Sequence, residues 1–281
     1  MTKINDRIKK FAKEDDKIRS LIETGRRVNP LINSQDEIDY HYVFGVHDLV
    51  DFKDPRYIEE VFNDLLLIRK SDKVSYSNKI NPNNVNYNIV LDDISKVTLF
   101  FIEENTMQEY INQDTQSKII MDKDDLLVGN PTRSDVYFRQ AKPSRTDFET
   151  ACSDIFMYSL VVAKALYRNE ELYAMKMFLN VIYALDRMTS YYIGCNYNFS
   201  VNVGYNFEYI KTYLSEDHYK RYLQAYPTPY IDDLWKKLFN ACELFRKEGL
   251  YVAESLGYEY PKKADRDILK KIRDIKSRSF N

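Results

Sequence analysis

Apolar residues come in short runs upstream of Lys142-Pro143-Ser144 and in helical spacing downstream of it. The upstream runs are Ile18 to Ile22, Tyr42 to Val46, Leu65 to Ile68, Tyr87 to Leu91, Val97 to Ile102 and Lys118 to Met121, each bounded by polar loops. Runs of that length predict strands. Val90 to Val97 predicts a hairpin, because two apolar runs flank a short turn opened by Asp92 and Asp93, and such side chains favour turns. Helices fit Ile4 to Lys13, Pro55 to Asp64, with proline near the first turn, and Glu103 to Asn112.

Downstream, Phe148, Cys152, Ile155, Phe156, Leu160, Val161, Ala163 and Leu166 follow an i, i+3, i+4 rhythm that Ser144 can cap. Further helices fit Leu172 to Tyr192, Phe207 to Leu214, Tyr219 to Ala225, Ile231 to Leu256 and Asp265 to Lys276. The predicted fold class is therefore α+β: a mixed sheet with a few helices over residues 1–142, then an all-α helical bundle over 143–281. In the last helix Ile268, Ile272 and Ile275 form an apolar face, opposed by Lys262, Lys263, Arg266, Lys270, Lys271 and further cations. It reads as a docked terminal helix with a solvated basic face, or as a functional basic patch.

Composition narrows the class. Of 281 residues, 44% are apolar and 30% charged, which describes a globular chain. No window approaches the roughly 18 uncharged apolar residues that span a bilayer, and the first 20 residues, rich in Lys, Arg and Asp, lack a signal peptide's apolar core. No membrane association and a cytoplasmic location are expected. Net charge is −2, from 41 basic and 43 acidic residues, so nucleic acid is not an expected partner. Seven glycines argue against Gly-rich phosphate loops. Cys152, Cys195 and Cys242 show neither disulfide nor zinc spacing and read as small buried residues. The 24 tyrosines can line a pocket for a sugar or base, or fill core and surface.

One stretch carries candidate chemistry. The apolar run from Ile18 to Ile22 leads to Gly25-Arg26-Arg27, a polar loop follows, and Asp39 opens a second apolar run. That is a strand, a tight loop and a strand. Together with Asp39-Tyr40, the Asp92-Asp93 hairpin, Ile120 to Asp124, Lys142-Pro143-Ser144, Leu166 to Glu170, Tyr213 to Asp217, Leu238 to Cys242 and Tyr258 to Pro261, this resembles the aminoglycoside 6-adenylyltransferases, also called streptomycin adenylyltransferases. They are an antibiotic-resistance family of bacterial type. The resemblance covers nearly the whole chain. It implies an N-terminal polymerase-β-like nucleotidyltransferase domain and a C-terminal helical domain, with ATP and drug meeting in the cleft between them.

In the reaction that the resemblance implies, AMP passes from ATP to a streptomycin hydroxyl. A Gly-Ser loop touches the phosphates, carboxylates on adjacent strands hold Mg²⁺ and take the hydroxyl proton, and cations neutralise the triphosphate. In the loop Gly25 and Arg27 match, but Arg26 stands where the family has Ser. Asp39 matches the first carboxylate, His41 replaces the second, and the third falls at Thr98. The family's Lys-Asn-Tyr-Lys run aligns with Tyr205-Asn206-Phe207-Glu208, so both lysines are gone. The implied nucleotide-binding residues are Gly25, Arg26 and Arg27, and the implied catalytic and metal residue is Asp39. On the substrate side Asp154 replaces a Glu, while Lys164 and Arg168 match.

These departures bear on chemistry. Mg²⁺ prefers near-octahedral oxygen ligands, whereas imidazole suits transition metals. A threonine hydroxyl cannot serve as the general base that an Asp could be. Glu208 facing a triphosphate would repel where Lys attracts, a swing of about 1 to 4 kcal/mol. Other roles stay open: Asp39 as a remnant that caps or pairs with Arg27, His41 and His47 as structural or metal-binding, Arg26 and Arg27 as a phosphate grip or surface ion pairs. Lys164 and Arg168 fit a ligand contact or a solvated helix face. Two readings follow. One is a pseudoenzyme that keeps the fold to bind a nucleotide, an aminoglycoside or a protein partner. The other is an active nucleotidyltransferase, with ATP and Mg²⁺ as cofactors if the family activity survives.

Overall fold

The computed structural model describes residues 2–29, 39–71, 83–114, 116–128 and 134–278. The polar loop expected after Arg27 lies, from residue 30 to 38, outside them. The chain divides into two compact units, residues 1–137 and 138–281.

Unit 1 is built in the order α1 (Thr2–Glu14), β1 (Ile18–Thr24), β2 (Asp39–Val46), α2 (Arg56–Glu59), β3 (Leu65–Ser71), β4 (Val85–Leu91), β5 (Lys96–Glu103), α3 (Met107–Gln113) and β6 (Ser117–Asp122). Every run read as a strand is one. The six strands lie in the order β3-β4-β5-β2-β1-β6. β2 and β5 pair parallel, and the other neighbours pair antiparallel. The β4–β5 hairpin turns where Asp92-Asp93 suggested, with Ser95 N donating to Asp93 Oδ1 at 2.9 Å.

The side chains of β2 alternate, as a strand requires. Tyr40, Tyr42 and Phe44 point to one face and pack with Ile4 and Ile8 of α1, and Phe11 meets Phe44 edge-on at 5.7 Å. On the other face Val43, Phe100 and Ile102 are covered by Met107, Tyr110 and Ile111 of α3. That cover ends before the first residues of β2 and β5. There the same face carries Asp39, His41, Lys96 and Thr98 instead, and this polar opening positions the candidate site.

One helical expectation shrinks. Of Pro55 to Asp64 only Arg56–Glu59 is α-helical, because Asn63 and Asp64 favour turns over helix and the Asp64 carbonyl accepts from Asp92 N at 3.0 Å.

Unit 2 contains α4 (Arg145–Tyr167), α5 (Glu171–Asn196), α6 (Ile210–Tyr213), α7 (Glu216–Ala225), α8 (Ile231–Leu256) and α9 (Lys262–Arg278). Phe148, Phe178, Trp235 and Phe245 anchor its core, and Leu269 and Ile272 dock α9. The helix expected from Phe207 to Leu214 is confined to Ile210–Tyr213, because Asn206 and Phe207 adopt positive φ of 52° and 66°. Of the cysteines, all free, Cys152 and Cys242 are buried and Cys195 is half-buried. Among the described residues no helix is long and apolar enough to cross a membrane.

Ser144 caps α4 as its position suggested. Its Oγ accepts from Asp147 N at 3.1 Å, and its own N donates to Asp147 Oδ2 at 2.9 Å. Ser144→Ala removes the acceptor for one orphan helix amide, and urea unfolding should show a loss of about 1 kcal/mol. An unchanged midpoint and slope would contradict the capping role.

Candidate functional site

The strand register aligns one row of side chains across the whole sheet of unit 1. Arg69 pairs with Asn88, Asn88 with Thr98, Thr98 with His41, His41 with Thr24, and Thr24 with Ser117. Cross-strand partners share a face, so all six lie on the face that carries the polar opening, with Thr24 and Ser117 buried at its edge. His41 and Thr98, two positions that the resemblance gives to carboxylates, are thus direct neighbours on parallel strands. Asp39 lies on the same face, two residues before His41, with Lys96 opposite it in the register.

Gly25 closes this end of the sheet. Its φ is +78°, in the left-handed region where a side chain is strained, and a Cβ there would stand 3.3 Å from the His41 ring. The imidazole therefore packs directly against the loop. Arg27 is already engaged: its Nε lies 3.2 Å from Glu23 Oε1, and its guanidinium sits 4.4 Å from the centre of the Tyr40 ring. Tyr40 belongs to the face opposite His41. Arg26, beside it, is half-buried.

The donors on this face are a poor match for Mg²⁺. Among the described residues the charged or ring donors beside the opening are one carboxylate, Asp39, and one imidazole, His41, with neutral oxygens such as the Thr98 hydroxyl, which donates to Asn88 Oδ1 at 3.3 Å. A hard cation that wants six oxygens finds one anionic ligand among them. The buried carboxylate near the row does not make up the deficit. Asp114 accepts from Thr24 Oγ1, from Tyr110 Oη at 3.2 Å and from Gln116 N at 3.0 Å, and is 1% exposed. Burial pushes its carboxyl above the usual range in spite of those donors. Its bonds make it a structural clamp between β1 and the start of β6. Sequence reading missed both Asn88 and Asp114, since only strand pairing and a contact over ninety positions reveal them. His47 lies beyond the end of β2 and pairs with Glu104, Nδ1 to Oε1 at 3.1 Å. Among the described residues no three His, Cys, Asp or Glu side chains gather to hold a metal.

In unit 2, Asp154, Lys164 and Arg168 follow one another along α4 and its C-terminal cap. Asp154 pairs with Arg187 of α5. Arg168 reaches Glu170 with Nε to Oε1 at 2.8 Å and Nη2 to Oε2 at 2.6 Å. Lys164 is exposed. Glu208 is exposed just after the turn with positive φ. A second polar cluster went unread in the sequence. Glu248 of α8 is fully buried, 2.6 Å from His218 Nε2 of α7, and accepts from Thr189 Oγ1 of α5 at 2.8 Å. Nearby Tyr222 Oη donates to Asp186 Oδ1 at 2.7 Å. Burial pushes the Asp186 carboxyl up to about 6, opposed only in part by that bond.

Comparison with known proteins places these features in context. The family model for streptomycin adenylyltransferase matches residues 1–275. An aminoglycoside 6-adenylyltransferase of Bacillus subtilis (strain 168) is 29% identical over 253 residues, 89% of each chain. Another, from Campylobacter jejuni, is 27% identical over 259 residues, covering 92% of this chain and 90% of that one. A crystal structure of an aminoglycoside 6-adenyltransferase from Bacillus subtilis is 25% identical, with 97% of each chain covered and a TM-score of 0.46.

Proposed function

Because the chain belongs to the streptomycin adenylyltransferase family, we propose that it keeps the family's ligand-binding role, for a nucleotide or an aminoglycoside, while AMP transfer is lost or very slow. The pairing of His41 with Thr98 carries this reading. Where the resemblance puts two carboxylates on adjacent strands, this chain offers a ring nitrogen and a hydroxyl. Carboxylates are the part of a metal-assisted nucleotidyl transfer that other groups replace worst.

Each residue then has a limited task. Among the described residues at the opening Asp39 is the carboxylate that a cation would meet, with Lys96 its register partner. Thr98, whose one hydroxyl hydrogen goes to Asn88, accepts and orients but takes no proton from an attacking alcohol. Gly25 and Arg26 present loop backbone and a cation to an anionic group, and Asp154, Lys164 and Arg168 supply charge for a polar ligand in unit 2. A protein partner suits the same reading.

The match to the family along residues 1–275 and the names of the relatives favour a second reading. In it the chain moves AMP from ATP to a hydroxyl of streptomycin or a similar molecule, with Asp39 serving a metal other than the usual one. Isothermal titration with ATP, with and without Mg²⁺, separates the two. The proposal expects an affinity that Mg²⁺ changes by less than about twofold, since one carboxylate gives the ion little purchase. A strong gain in ATP affinity on adding Mg²⁺ would favour the second reading.

A further inference from the structure

Two adjoining cavities, of about 640 and 400 Å³, run between α8 and α9 and share Arg246, Leu269 and Arg273. One wall is a single flank of α9. Lys262, Arg266, Arg273 and Lys276 line it, at spacings of four, seven and three residues that keep them aligned on one side of a helix. At 1.5 Å per residue the wall is about 21 Å long. The floor is apolar, with Leu250 and Leu269.

Few acids line the groove itself. Asp265 is held by Arg246, whose Nη2 stands 3.0 Å from Oδ1, Glu243 lies at one end, and beyond the other end Glu254 and Glu259 line the next cavity with Lys262. Arg266 lies 3.6 Å from the exposed Asp267. From 262 to 278 there are eight cations and three acids in a chain whose net charge is −2, so this basic flank is a local feature rather than a reflection of the composition.

We propose that this groove seats an amphipathic helix of a protein partner, with apolar residues on the leucine floor and an acidic flank against Lys262, Arg266, Arg273 and Lys276. A helix laid beside α9 has the same rise per residue. Its carboxylates at matching spacing therefore meet the cations one for one, while its apolar stripe enters the groove. Single-stranded nucleic acid suits the groove less well. Such sites stack bases on exposed rings, but Lys276 covers Phe239 at 5.3 Å from the ring centre, and Tyr260 is only 5% exposed. Glu243 also repels a continuous polyanion.

The test uses the full chain and a fluorescein-labelled synthetic helix with leucines at i, i+4, i+7 and i+11 and glutamates along one flank, read by anisotropy. Expected is binding at least about tenfold tighter than a scrambled peptide of the same composition, and a loss of at least about tenfold in Arg266→Glu/Arg273→Glu, as two reversed charges at a surface imply. Both positions are exposed, and circular dichroism checks that the variant keeps its fold. Equal binding of the scrambled peptide, equal binding by the double variant, or tighter binding of a 20-nucleotide single-stranded DNA would overturn the proposal; the first and last comparisons need only the wild-type chain.

Discussion

Glu248→Ala is expected to destabilise the helical unit by about 3 to 5 kcal/mol, the usual range when one partner of a buried charged pair is removed. The reason is the number of groups stranded. Glu248 is 0% exposed and faces both the His218 ring and the Thr189 hydroxyl, and Tyr192 stacks on that ring at 4.6 Å, so both polar groups lose their acceptor inside the core. Glu248→Gln keeps the volume and one acceptor and should cost less. Trp235, the single tryptophan, lies buried in the same unit, so its fluorescence in urea reports the unit directly. A loss under about 1 kcal/mol would show that the pair adds little. The same region sets a pH dependence. Asp186 titrates at about 6 in the folded chain, above its ordinary value of 3.8. The folded state therefore holds the proton longer, and this contribution to stability is present below about pH 4 and lost as pH rises through 6. Burial pushes Glu248 the same way. Asp186→Asn should flatten the decline between about pH 3 and 7 by up to about 3 kcal/mol, measured as the urea midpoint at each pH.

His41→Asp/Thr98→Asp is expected to have the largest effect on activity. The two positions are register partners, so the substitutions set two carboxylates side by side and two residues from Asp39, within reach of one cation. Attraction of a cation to each added charge is worth about 1 to 4 kcal/mol at surface-like dielectric, which means at least about a tenfold gain in Mg²⁺-dependent ATP affinity. A carboxylate at position 98 also supplies a proton acceptor, worth about 10² to 10⁴ in rate. Pyrophosphate release by the double variant, in the presence of streptomycin, should exceed that of the wild type by at least about 10². Equal, slow release by both proteins would shift the cause of low activity to Arg26 and Glu208. Fast release by the wild type alone would show that His41 and Thr98 are working residues.

Much of the fold was legible because local pattern carries it. Period-2 apolar runs such as Tyr40, Tyr42 and Phe44 mark one buried sheet face, and the rhythm from Phe148 to Leu166 marks α4, whose start at Ser144 was readable from its cap. Boundaries failed where local chemistry was overruled: Asn63-Asp64 ends α2 early, and the positive φ at Asn206 and Phe207 shortens the helix after them. The site was legible in composition and not in arrangement. The sequence names His41 and Thr98 as departures from the family, but their adjacency is a property of parallel pairing between strands more than fifty residues apart. The same holds for Arg27, which the sequence offered to a phosphate and which the fold places between Glu23 and the Tyr40 ring. Glu248 and His218 look like surface residues of amphipathic helices until α7 and α8 pack together.

The most direct test of the central claim is pyrophosphate release by the wild-type chain given ATP, Mg²⁺ and streptomycin. The account predicts release no faster than in the Asp39→Ala variant, because His41 and Thr98 stand where the reaction would need carboxylates. Drug-dependent release that disappears in Asp39→Ala would contradict it and establish a working adenylyltransferase.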